Sequence, residues 1–378
     1  MFNNTANEEK KVEYLELVYD LIFVYLIGRN SSFLHHVKDG FIRPELYFTY
    51  VLCTLIVIQI WNYTTFYINR YGSNGVLEHV GIFVNMYLLY YMADGTRTDW
   101  RVYYYRYNTA WGLILLNIVL LYYAKLRQKS KDAPWEIFQM KHTMTLILIQ
   151  AAIVFASLPV YAITGLPLAP VGMVFGIIAT ALSGRINQLV AVDFMHLTER
   201  AMLYVVFTFG EMIIAIAGYF KGNFGFNTVY FSLMGFLIVV ALFLSYGLLY
   251  DKIIDREMST NGIAYMMIHV VLIFALSNIT VALEFMQEPL VYVLPKIVFI
   301  VCSIMLYYIA LFLAARFCKK CFRMTGKCMA ALAGLFIVFA VLMLLFRHQM
   351  YINIAITVAF VFAVFWYLYQ FRKGIREE

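Results

Sequence analysis

Two carboxylates stand four residues apart near the start of the chain, in the run ELVYDLIFVYL at 16–26. On a helix the side chains of Glu16 and Asp20 are about 40° apart, so they share one face. Two carboxylates that close cannot both stay ionised at low cost where the dielectric constant is low. The pair predicts a site that carries a proton or binds a cation. The alternative is that Glu16 is solvated and Asp20 pairs with a neighbouring arginine.

A second polar stretch begins at Asp193 and contains the run HLTER. At 100° per residue, Asp193, His196, Arg200 and Glu211 fall within about 60° of one another on a helix, and Glu199 lies just outside that arc. This spacing predicts a polar stripe along one helix. The plainer alternative is a His–Glu–Arg salt-bridge cluster that only locks helices together.

Glu211 is the deepest member of this stripe. It lies about 16 Å beyond Arg200 along the helix, inside an apolar stretch. A carboxyl group in such surroundings needs either a partner or a proton. Since Arg200 is about three turns away, we expect the partner to come from another helix, with Glu16, Asp20 and Arg70 as candidates.

A third group of polar residues falls in a later apolar run, with His269 near one end, Asn278 midway and Glu284 near the other end. A single histidine in such a run is more often a structural hydrogen bonder than a ligand. We therefore keep both interpretations of His269 open.

The elements that carry these residues are long apolar runs. Hydrophobic residues make up 63% of the 378 residues and charged residues only 13%, too few to cover the surface of a soluble domain. A helix needs about 20 apolar residues to cross a hydrocarbon core of roughly 30 Å, and it satisfies its own backbone there. We predict an all-α integral membrane protein, a polytopic bundle of about twelve transmembrane helices. The predicted spans are Tyr14–Phe33, Glu45–Tyr67, Val76–Met92, Tyr107–Ala124, Thr143–Ile163, Ala169–Leu182, Thr198–Phe220, Thr228–Tyr250, Gly262–Phe285, Leu290–Ala315, Met329–Phe346 and Tyr351–Phe371.

Positive charges between the spans predict the orientation. With the N-terminus in the cytoplasm, most of the 29 lysines and arginines fall in cytoplasmic loops, including the dense runs at 125–131 and 316–323. Both termini are therefore predicted to be cytoplasmic. The net charge of +7 is explained by this asymmetry, so we expect the lipid bilayer as a partner and no nucleic acid.

A single transmembrane domain is expected over residues 1–378. Two six-helix halves, 1–182 and 183–378, are an alternative division, because the charged first span then corresponds to the charged seventh. The composition also leaves a homo-oligomer open.

Metal and cofactor signals are weak. Cys318, Cys321 and Cys328 share one predicted cytoplasmic loop but give three ligands, one fewer than a structural zinc site needs. The chain contains no glycine-rich phosphate loop, nucleophile elbow or His-Glu-x-x-His motif. We predict no metal, no cofactor and no catalytic residues of the soluble kind.

Two stretches of the chain resemble the bacterial low-temperature-requirement protein A family. That family has E-L-[FY]-[FY]-D-L-[VI]-F-V where this chain has ELVYDLIFV at 16–24. It has H-L-x-E-R followed by G-E-S where this chain has HLTER at 196–200 and GEM at 210–212. The likeness extends through WNYTTFYINRYG at 61–72 and keeps the order of motifs.

The resemblance implies a polar set of residues in this chain. That set is Glu16, Asp20, Asn69, Arg70, His196, Glu199, Arg200, Gly210, Glu211, Asp251 and His269. Met212 replaces the usual serine after Gly-Glu and removes a hydroxyl beside the carboxylate, while Gly72 and Leu249 are further departures. The resemblance implies a multi-pass protein of the bacterial cytoplasmic membrane that is linked to growth in the cold, and it implies no particular chemistry.

Ionisable residues within spans favour a transporter or channel for a small solute or ion, with a proton as the coupling ion. Two alternatives stay open. A membrane-embedded enzyme acting on a lipid or polyprenyl substrate would use His196 and Glu199 as acid and base. A structural or sensory bundle would need only paired charges. A pocket lined by Glu211 favours transport, a lateral groove beside His196 and Arg200 favours the enzyme, and a fully paired cluster favours the structural role.

Overall fold

The structure is a computed structural model that describes residues 11–94, 100–129, 132–220, 225–319, 322 and 325–373. Within these ranges the chain is almost entirely helical. The α-helices are α1 (Tyr14–Ser31), α2 (Pro44–Tyr71), α3 (Val76–Asp94), α4 (Trp100–Gln128), α5 (Pro134–Thr164), α6 (Ala169–Leu182), α7 (Gly184–Asn187), α8 (Phe194–Ile216), α9 (Phe226–Leu248), α10 (Ile263–Phe285), α11 (Val293–Ala314), α12 (Gly326–Leu345) and α13 (Met350–Lys373). Short 3₁₀ turns cover Ser32–His35, Ala217–Phe220 and Ala315–Phe317, a π-helical turn covers Leu249–Ile253, and one hairpin consists of β1 (Val37–Lys38) and β2 (Phe41–Ile42).

Eleven helical segments of the described residues are long and apolar enough to cross a bilayer. They correspond to eleven of the twelve predicted spans, which confirms the all-α polytopic fold. The remaining predicted span is α6, which has only 14 residues. At 1.5 Å per residue it is about 21 Å long, shorter than the hydrocarbon core of roughly 30 Å.

Despite its length, α6 passes from one end of α5 to the other. At its start, the backbone N–H of Ala169 donates to the Tyr104 hydroxyl at 3.3 Å, and the Tyr104 ring stacks on Tyr161 of α5 with centroids 4.0 Å apart. Just beyond its end, Ser183 Oγ lies 2.9 Å from Nε2 of His142 of α5. Because His142 and Tyr161 are separated by about 28 Å of helix rise, α6 returns the chain to the end where α5 began. The even number of membrane passes stays a prediction.

The chain divides into two compact units. Unit 1 consists of Met1–Phe33, Glu45–Tyr204 and Glu257–Met266, and unit 2 consists of Leu34–Pro44, Val205–Arg256 and Met267–Glu378. The division falls within α8, after Tyr204. The six-helix halves 1–182 and 183–378 concern internal symmetry and stay a prediction.

Local sequence signals delimit the helices of unit 1. Pro134 occupies the first turn of α5, where its missing N–H is not needed. Gly165 ends the helix in the left-handed conformation at φ 71°, and its N–H donates to the Tyr161 carbonyl. The core contains large aromatic side chains that are fully buried, and the rings of Trp61 and Tyr204 lie 4.6 Å apart. The indole N–H of Trp61 also donates a hydrogen bond to Asp20, one of the two carboxylates near the start of the chain.

In unit 2 the β-hairpin turns at Asp39 and Gly40, which both have positive φ, as a two-residue hairpin turn of the I′ type requires. The Gly40 carbonyl accepts a hydrogen bond from the Tyr292 N–H at 2.7 Å. A Cβ at Gly40 would lie 2.3 Å from the Tyr292 ring, so no larger residue fits. The ring of Phe41 then contacts Phe285 at the end of α10. These contacts hold the loop after α1 against the end of α10.

We predict that reporter fusions at Lys131, which lies outside the described residues, and after Glu378 both give a cytoplasmic signal. The reason is the concentration of positive charge in the loops on that side. A fusion at Leu166, between α5 and α6, is the matched control and should report the opposite side. A cytoplasmic signal at Leu166, or an extracytoplasmic one at either of the other positions, would contradict this topology.

Candidate functional site

Glu16 and Asp20 of α1 meet His196 and Arg200 of α8 in unit 1, and we call these four residues the buried charge cluster. None of the four is more than 2% exposed. Arg200 Nη1 lies 3.0 Å from Glu16 Oε2, and Arg200 Nε and Nη2 donate to the two carboxylate oxygens of Asp20. Asp20 is therefore paired with an arginine, as one of the two sequence interpretations expected. Glu16 is buried in the same cluster, so the expectation that it is solvated was wrong.

The position of His196 is fixed by hydrogen bonds on both sides of its ring. The side-chain oxygen of Asn69 accepts the Asp193 N–H at 3.1 Å, which fixes the orientation of the amide. The Asn69 Nδ2 then faces His196 Nδ1 at 3.0 Å and must be the donor. The other ring nitrogen, Nε2, lies 3.2 Å from Glu16 Oε2 and carries the ring proton. His196 is thus a neutral imidazole that donates to Glu16.

Asp193 has a separate role at the start of α8. Its Oδ1 accepts the backbone N–H of His196 at 3.0 Å, as an N-cap residue does. Glu199 is half-buried on the same helix and outside the cluster, in keeping with its helical phase. The four residues of the stripe predicted for α8 therefore separate: Asp193 caps the helix, His196 and Arg200 belong to the cluster, and Glu211 lies in unit 2.

The charges of the buried charge cluster do not cancel when both carboxyl groups are ionised. Glu16 and Asp20 then give two negative charges against the single guanidinium of Arg200, because His196 is neutral. Trp61 Nε1 donates to Asp20 Oδ1 at 2.7 Å, and its ring lies 5.9 Å from Arg200 Cζ. A proton on one of the two carboxyl groups makes the cluster neutral. The arrangement can therefore hold a proton and also join α1, α2 and α8.

Arg70, near the end of α2, belongs to a different contact. Its Nη1 donates to Asn187 Oδ1 at 3.0 Å and its Nη2 to the Asn187 carbonyl at 3.2 Å. The guanidinium also lies over the ring of Phe66, 5.2 Å from its centroid. All of these partners are neutral, so they hold the guanidinium in place without neutralising its charge.

Glu211 is half-buried on the part of α8 that belongs to unit 2. The charge that acts on it within this unit is Glu284 of α10. Glu284 in turn lies 2.8 Å from Nε2 of His35. The partners expected for Glu211 are bonded to other groups, since Arg70 donates to Asn187 and Asp20 accepts from Arg200. Glu211, Glu284 and His35 are therefore candidates for proton exchange within the described part of unit 2.

His269 is 1% exposed, and its Nε2 lies 3.2 Å from the Tyr246 hydroxyl. This buried hydrogen bond agrees with the structural interpretation of His269. Cys318 and Cys328 are free thiols, and Cys321 lies outside the described residues. Among the residues that the structure describes, no group of three or more His, Cys, Asp or Glu side chains is arranged to hold a metal ion.

A glutamine pair that the sequence interpretation missed lies between α2 and α5, and we call Gln59 and Gln150 the amide pair. Gln150 Nε2 donates to Gln59 Oε1 at 2.6 Å, and the Tyr63 hydroxyl donates to Gln150 Oε1 at 2.8 Å. Gln59 Nε2 reaches the Met173 carbonyl of α6 at 3.4 Å. The signal was present in the sequence, since each glutamine interrupts an apolar run of a span.

Two cavities of unit 1 lie along one face of α2, with the amide pair between them. The first, which we call the Glu45 cavity, has a volume of about 390 Å³; its lining includes Glu45, Thr49, Cys53 and Ile56 of α2 together with Tyr104, Asn108 and Ala169. The second, the Arg70 cavity, has about 40 Å³; its lining includes Tyr63, Phe66 and Arg70 of α2 together with Tyr122, Thr143, Thr180, Ser183 and Asn187. The α2 residues recur every three or four positions, which is the spacing of one helix face. The short helix α6 contributes to the wall of both cavities.

We predict that Arg200→Gln destabilises the protein by about 3–5 kcal/mol, because it leaves two buried carboxyl groups without their cation. The measurement is thermal unfolding of the purified protein in detergent. Adding Asp20→Asn to the same chain should restore part of the loss. Arg185→Gln, which removes an exposed arginine, is the control, and an Arg200→Gln protein as stable as this control would contradict the assignment.

We predict that Gly176→Ala separates the amide pair and lowers stability by about 1–3 kcal/mol. A Cβ at this position would lie 2.4 Å from Gln59 Nε2 and 2.6 Å from Gln150 Nε2. Gly334→Ala is the matched control, since a Cβ there meets nothing within 4 Å. Equal unfolding temperatures for the two variants would show that α6 has room to move away.

Comparison with protein-family models matches residues 11–365 to the family described as bacterial low temperature requirement A protein (LtrA). No match was found among curated proteins. The matched range contains the buried charge cluster, the amide pair, Arg70 and Glu211. Because the match extends over most of the 378 residues, the chain belongs to the bacterial low temperature requirement A family.

Proposed function

We propose that this multi-pass membrane protein is a transporter or channel for a small solute and that its coupling ion is a proton. The observation that carries the proposal is the pair of cavities on one face of α2, separated by the amide pair. A solute path through a helical bundle needs polar groups inside the bundle and a barrier between its two ends. In unit 1 the polar side chains on the α2 face and the amide pair between the two cavities support this proposal.

The amide pair suits a barrier that opens and closes. Its members are uncharged, and each hydrogen bond between neutral groups contributes only about 0.5–1.5 kcal/mol net. The side chains of Gln59 and Gln150 can exchange these bonds for bonds to a passing polar solute. The hydroxyl of Tyr63, which donates to Gln150, lies at the rim of the Arg70 cavity and links the barrier to it.

The proposed proton coupling involves unit 2. The side chain of Glu211 makes no hydrogen bond to any residue that the structure describes, and its charged neighbour is the carboxylate of Glu284. A carboxyl group that is partly removed from water beside a like charge gains by holding a proton, and it releases the proton when water or a cation reaches it. His35 pairs with Glu284, and 44% of its side chain is exposed at the surface of the protein.

The alternative of a lipid-modifying enzyme is less well supported. Such an enzyme would need His196 to reach a substrate, yet this side chain is 0% exposed and both ring nitrogens are bonded. The structural alternative accounts well for the buried charge cluster, because its groups bind one another. We assign the cluster a positioning role and the cavities the solute path. Membership of a bacterial family supports the cytoplasmic membrane as the location.

We predict that proteoliposomes containing the full chain respond to an inward proton gradient with solute uptake, detected by light scattering after challenge with small polyols, amino acids and salts of small anions. Glu211→Gln keeps the shape of the side chain and removes its titratable group. We expect this variant to fold, since the described structure shows no ion pair at Glu211, and to lose the dependence of flux on pH.

Glu199→Gln is the matched control, because it removes a carboxyl group from the same helix outside the cavities and the cluster. Its flux should follow the wild-type pH dependence. A Glu211→Gln protein with unchanged pH dependence would remove Glu211 from the mechanism. If the protein causes no flux of any solute in the panel, the transport proposal itself is overturned.

A further inference from the structure

Arg70 forms no ion pair with a carboxylate in the described part of the chain. Its two hydrogen-bonding partners are the side-chain and main-chain oxygens of Asn187. Its Nε is buried and has no acceptor. The nearby carboxylate of Glu136 pairs instead with Lys129. Arg70 is half-buried, and a guanidinium that is partly removed from water is stabilised when an opposite charge replaces the lost water.

Other hydrogen-bond donors line the same cavity as Arg70. The Tyr122 hydroxyl makes no hydrogen bond within the described ranges, although the ring is only 1% exposed. The Thr143 hydroxyl oxygen accepts from Gln139 Nε2 at 3.0 Å, which leaves its O–H free to donate. Both side chains line the Arg70 cavity, and none of the described residues that line it carries a carboxylate. The cavity therefore combines one positive charge with hydroxyl donors.

We propose that the Arg70 cavity is a binding site for a small monovalent anion. A guanidinium presents its N–H groups in a planar fork that matches a planar oxyanion such as nitrate, formate or a carboxylate group. The cavity has a volume of about 40 Å³. We expect this size to favour a small anion, or the carboxylate end of a longer solute, over a bulky anion.

The proposal that the Arg70 cavity binds an anion does not depend on whether the protein is a transporter. The proposal that this anion is also the transported solute rests on the proposed function. In that case the substrate class is a small monovalent anion. Its uptake together with one proton moves no net charge, so a membrane potential would not oppose it.

The test is binding of sodium nitrate and sodium formate to the purified full-length protein in detergent, measured by isothermal titration calorimetry and by the shift in unfolding temperature. A bulky sulfonate at the same ionic strength serves as the salt control. We expect both small anions, but not the sulfonate, to raise the unfolding temperature. Binding of formate but not nitrate would identify the ligand as a carboxylate group.

Arg70→Gln should weaken binding by at least about tenfold, because it removes hydrogen bonds to a charged group. Arg185→Gln, which removes an exposed arginine from α7 beside Asn187, should bind like the wild type. Tyr122→Phe and Thr143→Val keep the charge and should each weaken binding several-fold, which keeps the test decisive if Arg70→Gln does not fold.

Equal binding by the wild type and Arg70→Gln would overturn the proposal, as would equal stabilisation by the sulfonate. These binding measurements need no liposomes, so they are independent of the flux assay. If the protein transports solute but binds neither anion, the anion site is wrong and the transport proposal stands. If the protein binds the anions but transports no solute, the transport proposal is wrong and the anion site stands.

Discussion

In unit 1 the arrangement of three helices depends on where the charge of Arg200 is neutralised. A guanidinium removed from water needs carboxylates at close range, and only Glu16 and Asp20 of α1 provide them in the described structure. Their positions fix the rotation of α1 against α8, because either helix would withdraw a charged group if it turned. The hydrogen bond from Trp61 to Asp20 extends the same constraint to α2. Apolar packing fills the surroundings, but it would tolerate small rotations that this charge pairing does not.

Because the orientation of α2 is fixed, its two faces have different hydrogen-bonding surroundings. Trp61 and Asn69 point to the buried charge cluster, where the polar groups bind one another. Gln59, Tyr63 and Arg70 point to the other face, where the bonds are between neutral groups or leave a charge unanswered. Asn69 and Arg70 are consecutive residues about 100° apart on the helix. Asn69 therefore faces the buried charge cluster, whereas Arg70 faces the Arg70 cavity. The buried charge cluster on one face thus positions the residues that line the two cavities on the other face.

The sequence predicted the spans well because bilayer thickness imposes a length on apolar runs. Helical phase also predicted that His196 and Arg200 share a face, and both lie in the cluster with Glu16 and Asp20. Phase within one helix carries no information on which helices are neighbours, so it gave no basis for choosing Asn187 as the partner of Arg70. The amide pair was not predicted for the same reason, because Gln59 and Gln150 form a hydrogen bond only when α2 packs beside α5. The short α6 was recognised as apolar, whereas its place beside both cavities depends on tertiary contacts at Ala169 and Ser183.

If the amide pair is the barrier of the proposed path, the free energies involved explain why amides suit it. A buried ion pair across the path would cost about 3–5 kcal/mol to break on one side, and the freed charges would then attract and hold any counter-ion that entered. Neutral hydrogen bonds cost about 1 kcal/mol each and can be replaced by equivalent bonds to the solute. This exchange requires that α6 lie close enough for Gln59 to reach the Met173 carbonyl, and Gly176 permits that approach because it has no Cβ. The glycine and the two glutamines therefore depend on one another, because the absence of a side chain at Gly176 leaves room for the two amides to meet.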